Sequence, residues 1–181
     1  MARAFRVAAI GLAAFSASGL SAQTTPAQPK TPPPACTSVE RGQFDFWVGK
    51  WDVYPTGNDR LVAHSLIEKL YGGCAIRENW MPLAAPGGGS LSSYDPKTRK
   101  WRQTWVDSSG ATVVFDGGWT GSQMVIEGMW SDVLRPGKDA VVRMTYWRQA
   151  DGSVRQVGTT TVDSGKTWQP SFDFTYKPAA S

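Results

Sequence analysis

The chain has 181 residues, 41% of them hydrophobic and 19% charged, a composition that fits one globular domain. Its 19 glycines and 9 tryptophans favour a β-rich fold with many turns and aromatic walls over a helical bundle. Arg3 and Arg6 fall in a predicted export segment, and without them 17 basic side chains face 15 acidic ones; no Lys/Arg cluster stands out, which excludes a nucleic-acid footprint.

Met1 to Ala22 has the anatomy of a secretory signal: two arginines, an apolar run from Val7 to Phe15 too short to span a bilayer, then small residues. Cleavage after Ser21 or Ala22 fits, with Ala22 preferred. No cysteine stands at the cleavage point, which argues against a lipoprotein and against a stable membrane anchor once the signal is removed. The expected location is therefore the periplasm or the medium. Residues 23–41 read as a Pro-rich linker, because a Pro/Thr/Gln tract buries too little apolar surface to offset its ordering entropy. Residues 42–181 form the predicted domain. Cys36 and Cys74 are the only cysteines, and in an exported chain an even pair reads as a disulfide.

The stretch Phe44-Asp45-Phe46-Trp47-Val48-Gly49-Lys50-Trp51 gathers four large aromatic side chains around one glycine and is expected to seed the core. A short helical turn is predicted around Gln43–Trp47, ahead of the first strand. From there turn signals recur about every ten residues, the spacing of an all-β sandwich or barrel. They include Pro55–Asp59, Tyr71-Gly72-Gly73, Pro86–Gly89, Asp95–Thr98, Asp116-Gly117-Gly118, Arg135–Lys138 and Ser164-Gly165-Lys166. The intervals give about ten strands, roughly 50–54, 60–71, 74–81, 90–94, 100–107, 111–116, 122–131, 140–149, 153–162 and 171–177. Connections this short leave no room for crossover helices, so neighbouring strands should pair antiparallel in an up-and-down order.

Alternation then nominates a site. Trp101, Gln103 and Trp105 share one face of their strand, and Ile76, Glu78 and Trp80 share one face of theirs. Polar groups flanked by tryptophans suit a barrel lumen better than a dry sandwich core, where each would need a partner. The predicted ligand-binding residues are Glu78, Trp80, Trp101, Gln103 and Trp105, for an apolar or aromatic small molecule. The other reading turns this face outward, with Trp80, Trp101 and Trp105 as an exposed patch.

Catalytic candidates are thin. His64 is the only histidine, sits mid-strand beside a serine that points the other way, and reads as structural. One histidine and two oxidised cysteines leave no metal set, and no metal or cofactor is expected. Glu68 and Glu78 lie on adjacent predicted strands and offer an alternative, a hydrolase-type enzyme with paired carboxylates; in the plainer reading each pairs with a basic neighbour such as Lys69, Arg77 or Arg143. A third reading is a filled barrel acting as a protein-interaction module. Gly87-Gly88-Gly89 reads as a flexible loop without the context of a phosphate loop. The oligomeric state is not set by any of these features.

The blocks Phe44–Trp51, Ile67–Leu70 with Gly73–Trp80, and Tyr94–Pro96 with Lys100–Asp107 resemble an uncharacterised family of exported bacterial proteins, a domain of unknown function. Gly49-Lys50-Trp51 is similar to the G-x-W that opens the first strand of lipocalins and other calycin barrels, nitrobindin among them. That resemblance implies a single calycin-like barrel, with Gly49 allowing close approach and Trp51 plugging the closed end. Nitrobindin-like proteins bind haem through a histidine near the C-terminal end; His64 lies in the second strand, so haem is not expected here. Thr161–Trp168 resembles the Asp-box hairpin of sialidase-type propellers, which implies a turn-shaping role, with Trp168 covering an edge.

Overall fold

The computed structural model describes residues 36–180. The predicted signal, and the predicted linker up to residue 35, lie outside the described residues. A helical turn, α1 (Val39–Gly42), and a 3₁₀ turn (Asp45–Trp47) precede ten strands. These are β1 (Gly49–Pro55), β2 (Ala63–Leu70), β3 (Ala75–Pro82), β4 (Gly88–Asp95), β5 (Lys100–Asp107), β6 (Thr112–Trp119), β7 (Met124–Arg135), β8 (Lys138–Arg148), β9 (Val154–Thr161) and β10 (Gln169–Pro178). Each pairs antiparallel with its neighbours in sequence, and β1 pairs with β10, so the sheet closes into an up-and-down barrel. Closure satisfies both edges that an open meander would leave bare. Among the described residues no helix is long and apolar enough to cross a membrane.

The strands form because their apolar residues recur with period two. β8 shows it plainly: Ala140, Val142, Met144 and Tyr146 are buried while the residues between them are not. Charge is kept on the outer face, where cross-strand neighbours pair: Arg77 with Glu68, Arg102 with Asp116, Arg143 with Glu127 and Arg155 with Asp173. Half-exposed pairs of this kind contribute little each, but they mark which face is out.

One end of the barrel is sealed by the aromatic stretch. Phe44 and Trp47 are fully buried and stack with ring centroids 4.8 Å apart. Both rest on Tyr146 at 5.1 Å, and Trp47 also meets Tyr176 at 6.3 Å. Trp51 is also buried and donates its indole N–H to the Trp47 carbonyl at 2.8 Å. The Trp51 ring lies 3.1 Å from where a side chain on Gly49 would begin, so the bare backbone of Gly49 lets the ring pack closely on it. The expected plug is thus present but deeper than Trp51 alone, with the 3₁₀ turn supplying its two central rings. Trp47 Nε1 is the one buried side-chain polar atom without a hydrogen-bond partner among the described residues; the plug holds by ring contact at that point.

Cys36 and Cys74 form a disulfide across 38 residues, tying the segment ahead of the plug to the turn between β2 and β3. Two turn signals resolve differently from the sequence expectation. Asp116-Gly117-Gly118 lies inside β6, paired with β7, and glycine is needed because a side chain at Gly117 would start 2.0 Å from the Val125 carbonyl. Gly88 and Gly89 begin β4 rather than forming a loop. The hairpin turn between β9 and β10 is built as its Asp-box likeness implies: Asp163 accepts hydrogen bonds from the Thr161 hydroxyl at 2.7 Å, the Thr167 amide at 2.9 Å and the Thr167 hydroxyl at 2.7 Å. Those donors hold its carboxyl down at about 2. Trp168 covers no edge, since the closed barrel has none; it lies under the Arg143 guanidinium, 3.8 Å from the ring centroid.

Replacing both cysteines by serine is expected to lower the unfolding free energy by about 4 kcal/mol, the loop-closure cost the disulfide removes from the unfolded chain. Urea titration of the two proteins measures it. A loss below about 1 kcal/mol would show that loop closure in the unfolded chain does not set the disulfide's contribution.

Candidate functional site

Above the plug the lumen opens into a cavity of about 310 Å³. Its floor consists of buried side chains: Gln103 on β5, Phe115 on β6, Met144 and Tyr146 on β8, Gln156 on β9 and Tyr176 on β10. Toward the open end the walls are half-buried rings, Trp80 on β3, Trp105 on β5, Trp130 on β7 and the Phe172–Phe174 stack on β10. Glu78, from β3, is the remaining lining residue, with 6% of its surface exposed. Strand alternation delivers all of these: each pair two apart in sequence, such as Glu78/Trp80, Gln103/Trp105 or Phe172/Phe174, stacks one rung above the next on the inner face.

Local geometry fixes the rings. Trp105 donates its indole N–H to Asp107 at 3.2 Å, and Asp107 is itself held by the Ser109 hydroxyl at 2.5 Å. A side chain at Gly88 would begin 2.7 Å from the Trp105 ring, so the bare backbone of β4 makes its bed. Trp80 packs on Phe174 at 5.7 Å and on Tyr176 at 6.2 Å.

The floor carries a polar network. Tyr176 donates to Gln156 Oε1 at 2.6 Å, and Gln156 Nε2 donates to the Tyr146 oxygen at 2.9 Å. Gln103 Nε2 donates to Ser92 at 3.0 Å. Glu78 accepts from Ser90 at 3.0 Å on one oxygen and from Ser65 at 3.5 Å on the other. Burial pushes the Glu78 carboxyl up to about 7, against the two serine hydroxyls that pull it down. Burial also raises the phenols of Tyr146 and Tyr176 well above their ordinary value, and the nearby Glu78 charge adds to it.

Of the five residues nominated from sequence, the structure gathers Glu78, Trp80, Gln103 and Trp105 around the cavity. It does not bring Trp101 there. Trp101 shares their inward face but stands one rung below Gln103, where it packs edge-on against Phe44 at 5.8 Å and bonds Gln43 at 3.2 Å. It belongs to the plug. The outward reading of this face does not hold, since Trp101 and Gln103 are buried inside the barrel. The carboxylate pair does not form either. Glu68 sits opposite Arg77 and pairs with it on the outer face, while Glu78 sits opposite Ile67 and points inward. His64 lies outside, 2.7 Å from Asp52. Among the described residues no group of three or more metal-ligating side chains stands together.

Sequence reasoning missed Phe115, Trp130, Met144, Tyr146, Gln156, Phe172, Phe174 and Tyr176. A signal existed for the last three: Phe172, Phe174 and Tyr176 alternate on the final strand in the same way as the tryptophans of β5.

A carboxyl lifted from 4.5 to about 7 binds its proton more tightly in the folded than in the unfolded chain. Between these values the folded state holds more protons, so the contribution of Glu78 to stability is present at low pH and falls as pH rises through that window. Glu78→Gln should remove a loss of about 3 kcal/mol between acid and mildly alkaline pH. Urea melts of wild type and variant at pH 4.5 and 8 check this: the variant should be the more stable at pH 8 relative to wild type. Parallel pH profiles would show that the carboxyl is solvated.

No family model matches the chain and no curated protein matches it.

Proposed function

We propose that this is an exported small-molecule-binding protein whose barrel lumen takes an apolar or aromatic ligand bearing one polar group. The observation that carries the reading is the Glu78 carboxyl buried in the wall of an aromatic cavity of about 310 Å³. Apolar walls with a few fixed polar groups are the usual chemistry of ligand pockets, and this volume lies at the small end of their range. Rings supply contact area at low entropic cost, and the Tyr176–Gln156–Tyr146 network gives the floor a hydrogen-bonded framework. The likeness of the fold to ligand-carrying barrels supports the same reading.

Export is supported by the basic and apolar pattern of the first 22 residues and by a disulfide, which persists in oxidising compartments. Its resemblance to exported bacterial proteins points the same way, to the periplasm or the medium. The reading is one of binding rather than turnover: the second carboxylate that an acid–base pair would need, Glu68, is committed to Arg77 outside the barrel.

N-Phenyl-1-naphthylamine, a neutral aromatic probe, should bind saturably at one site per chain and quench the tryptophan emission of Trp80, Trp105 and Trp130. Trp105→Ala should weaken binding at least about tenfold, roughly 1.4 kcal/mol. Absence of saturable binding, or binding indifferent to Trp105→Ala, would contradict a lumenal site.

A further inference from the structure

We propose that the ligand's polar group is a cation: an organic ammonium on an apolar body, its charge set against the Glu78 carboxylate and its substituents against the surrounding rings. This rests on the reading of the lumen as a binding site and names the ligand class that site selects.

The first support is charge placement. Glu78 is 6% exposed and faces the cavity. The lining holds no lysine, arginine or histidine. The basic side chains that form ion pairs among the described residues do so on the outer face or at the rim, Lys69 with Asp45, Arg77 with Glu68, Arg102 with Asp116, Arg143 with Glu127, Arg155 with Asp173 and Lys177 with Asp59. A buried charge without a counter-ion is costly, and binding a cation is the event that offsets it.

The second support is the form of the hydrogen bonds. Ser65 and Ser90 are both positioned to donate to Glu78, one to each oxygen. Donated bonds favour the carboxylate, and two of them leave acceptor capacity on both oxygens. The third is the wall. Trp80 follows Glu78 on the same strand face, and Tyr176 and Phe174 pack on Trp80 at 6.2 and 5.7 Å. Trp105 and Trp130 add two more indole rings to the lining. Aromatic faces attract a desolvated ammonium, tryptophan most strongly. Carboxylate and rings together reject anions and give a hydrocarbon ligand nothing to set against the charge.

Phenyltrimethylammonium and tert-butylbenzene share a shape and differ by one charge. Titrated at pH 8.5 by tryptophan fluorescence, the cation should bind at least about tenfold more tightly, and Glu78→Gln should erase that advantage. Wild type alone gives a second readout. The quaternary ammonium has no proton to lose. The titratable groups facing Glu78, Tyr146 and Tyr176, have phenols raised well above the usual value and stay protonated across this range. With the carboxyl at about 7, lowering pH from 8.5 to 5.5 should weaken the cation several-fold, to a ceiling of roughly thirtyfold, and should not weaken the neutral probe. This readout stands if Glu78→Gln fails to fold. Equal affinity for the two probes, or a cation preference that survives Glu78→Gln or does not weaken at pH 5.5, overturns the cation assignment and leaves lumenal binding intact. Tighter binding of the neutral probe than of the cation at pH 8.5 overturns it in favour of an uncharged ligand. If neither probe nor N-phenyl-1-naphthylamine binds, the lumen reading itself falls.

Discussion

The stack of Phe44 on Trp47, pressed against Tyr146 and Tyr176, is the contact on which the rest of the molecule depends. A closed ten-stranded barrel has a lumen that must be filled or walled off. Here a 3₁₀ turn carries two rings into one end and fills it. The two tyrosines then have a dual position: their rings lie on the plug and their hydroxyls join Gln156 in the floor of the cavity. Phe44 and Trp47, the central rings of the most distinctive stretch in the sequence, therefore do not touch the cavity. They decide where it begins.

That division also explains the inner polar residues. Burying Glu78, Gln103 and Gln156 in a packed core would leave several hydrogen-bonding groups short of partners. In this barrel serines on neighbouring strands, Ser65, Ser90 and Ser92, supply short hydroxyls without filling the space above. Small residues opposite large polar ones keep the cavity open and the network satisfied. The cost is concentrated at Glu78, whose carboxyl burial pushes upward against its serine partners.

Much of the fold was legible because an antiparallel meander writes itself in period two and punctuates itself at each turn. β5 is an example: its predicted bounds, 100–107, match the strand, and its inward face was readable from Trp101, Gln103 and Trp105 alone. Glycine was the ambiguous letter. It marks turns, but Gly117 and Gly88 are glycine because a carbonyl or an indole of the next strand occupies the space a side chain would need, and that contact depends on the pairing register. Depth along the barrel was not legible either. Alternation gives the face of Trp101 but not its rung, and the rung decides between plug and cavity. Glu68 and Glu78 were split by register, which depends on the 3₁₀ geometry of Tyr71–Gly73 between their strands. Tyr146, Gln156 and Tyr176 meet through the pairing register of β8, β9 and β10, which alternation alone does not give.

Glu78 places a carboxyl in the wall of an aromatic lumen lined by no lysine, arginine or histidine. Carbon-13 NMR of the glutamate side-chain carboxyls, with Glu78 assigned by comparison with Glu78→Gln, measures this directly. One carboxyl is expected to titrate near 7 in the ligand-free protein and to move down when phenyltrimethylammonium is added. A Glu78 resonance titrating in the ordinary carboxylate range, unmoved by the cation, would contradict it.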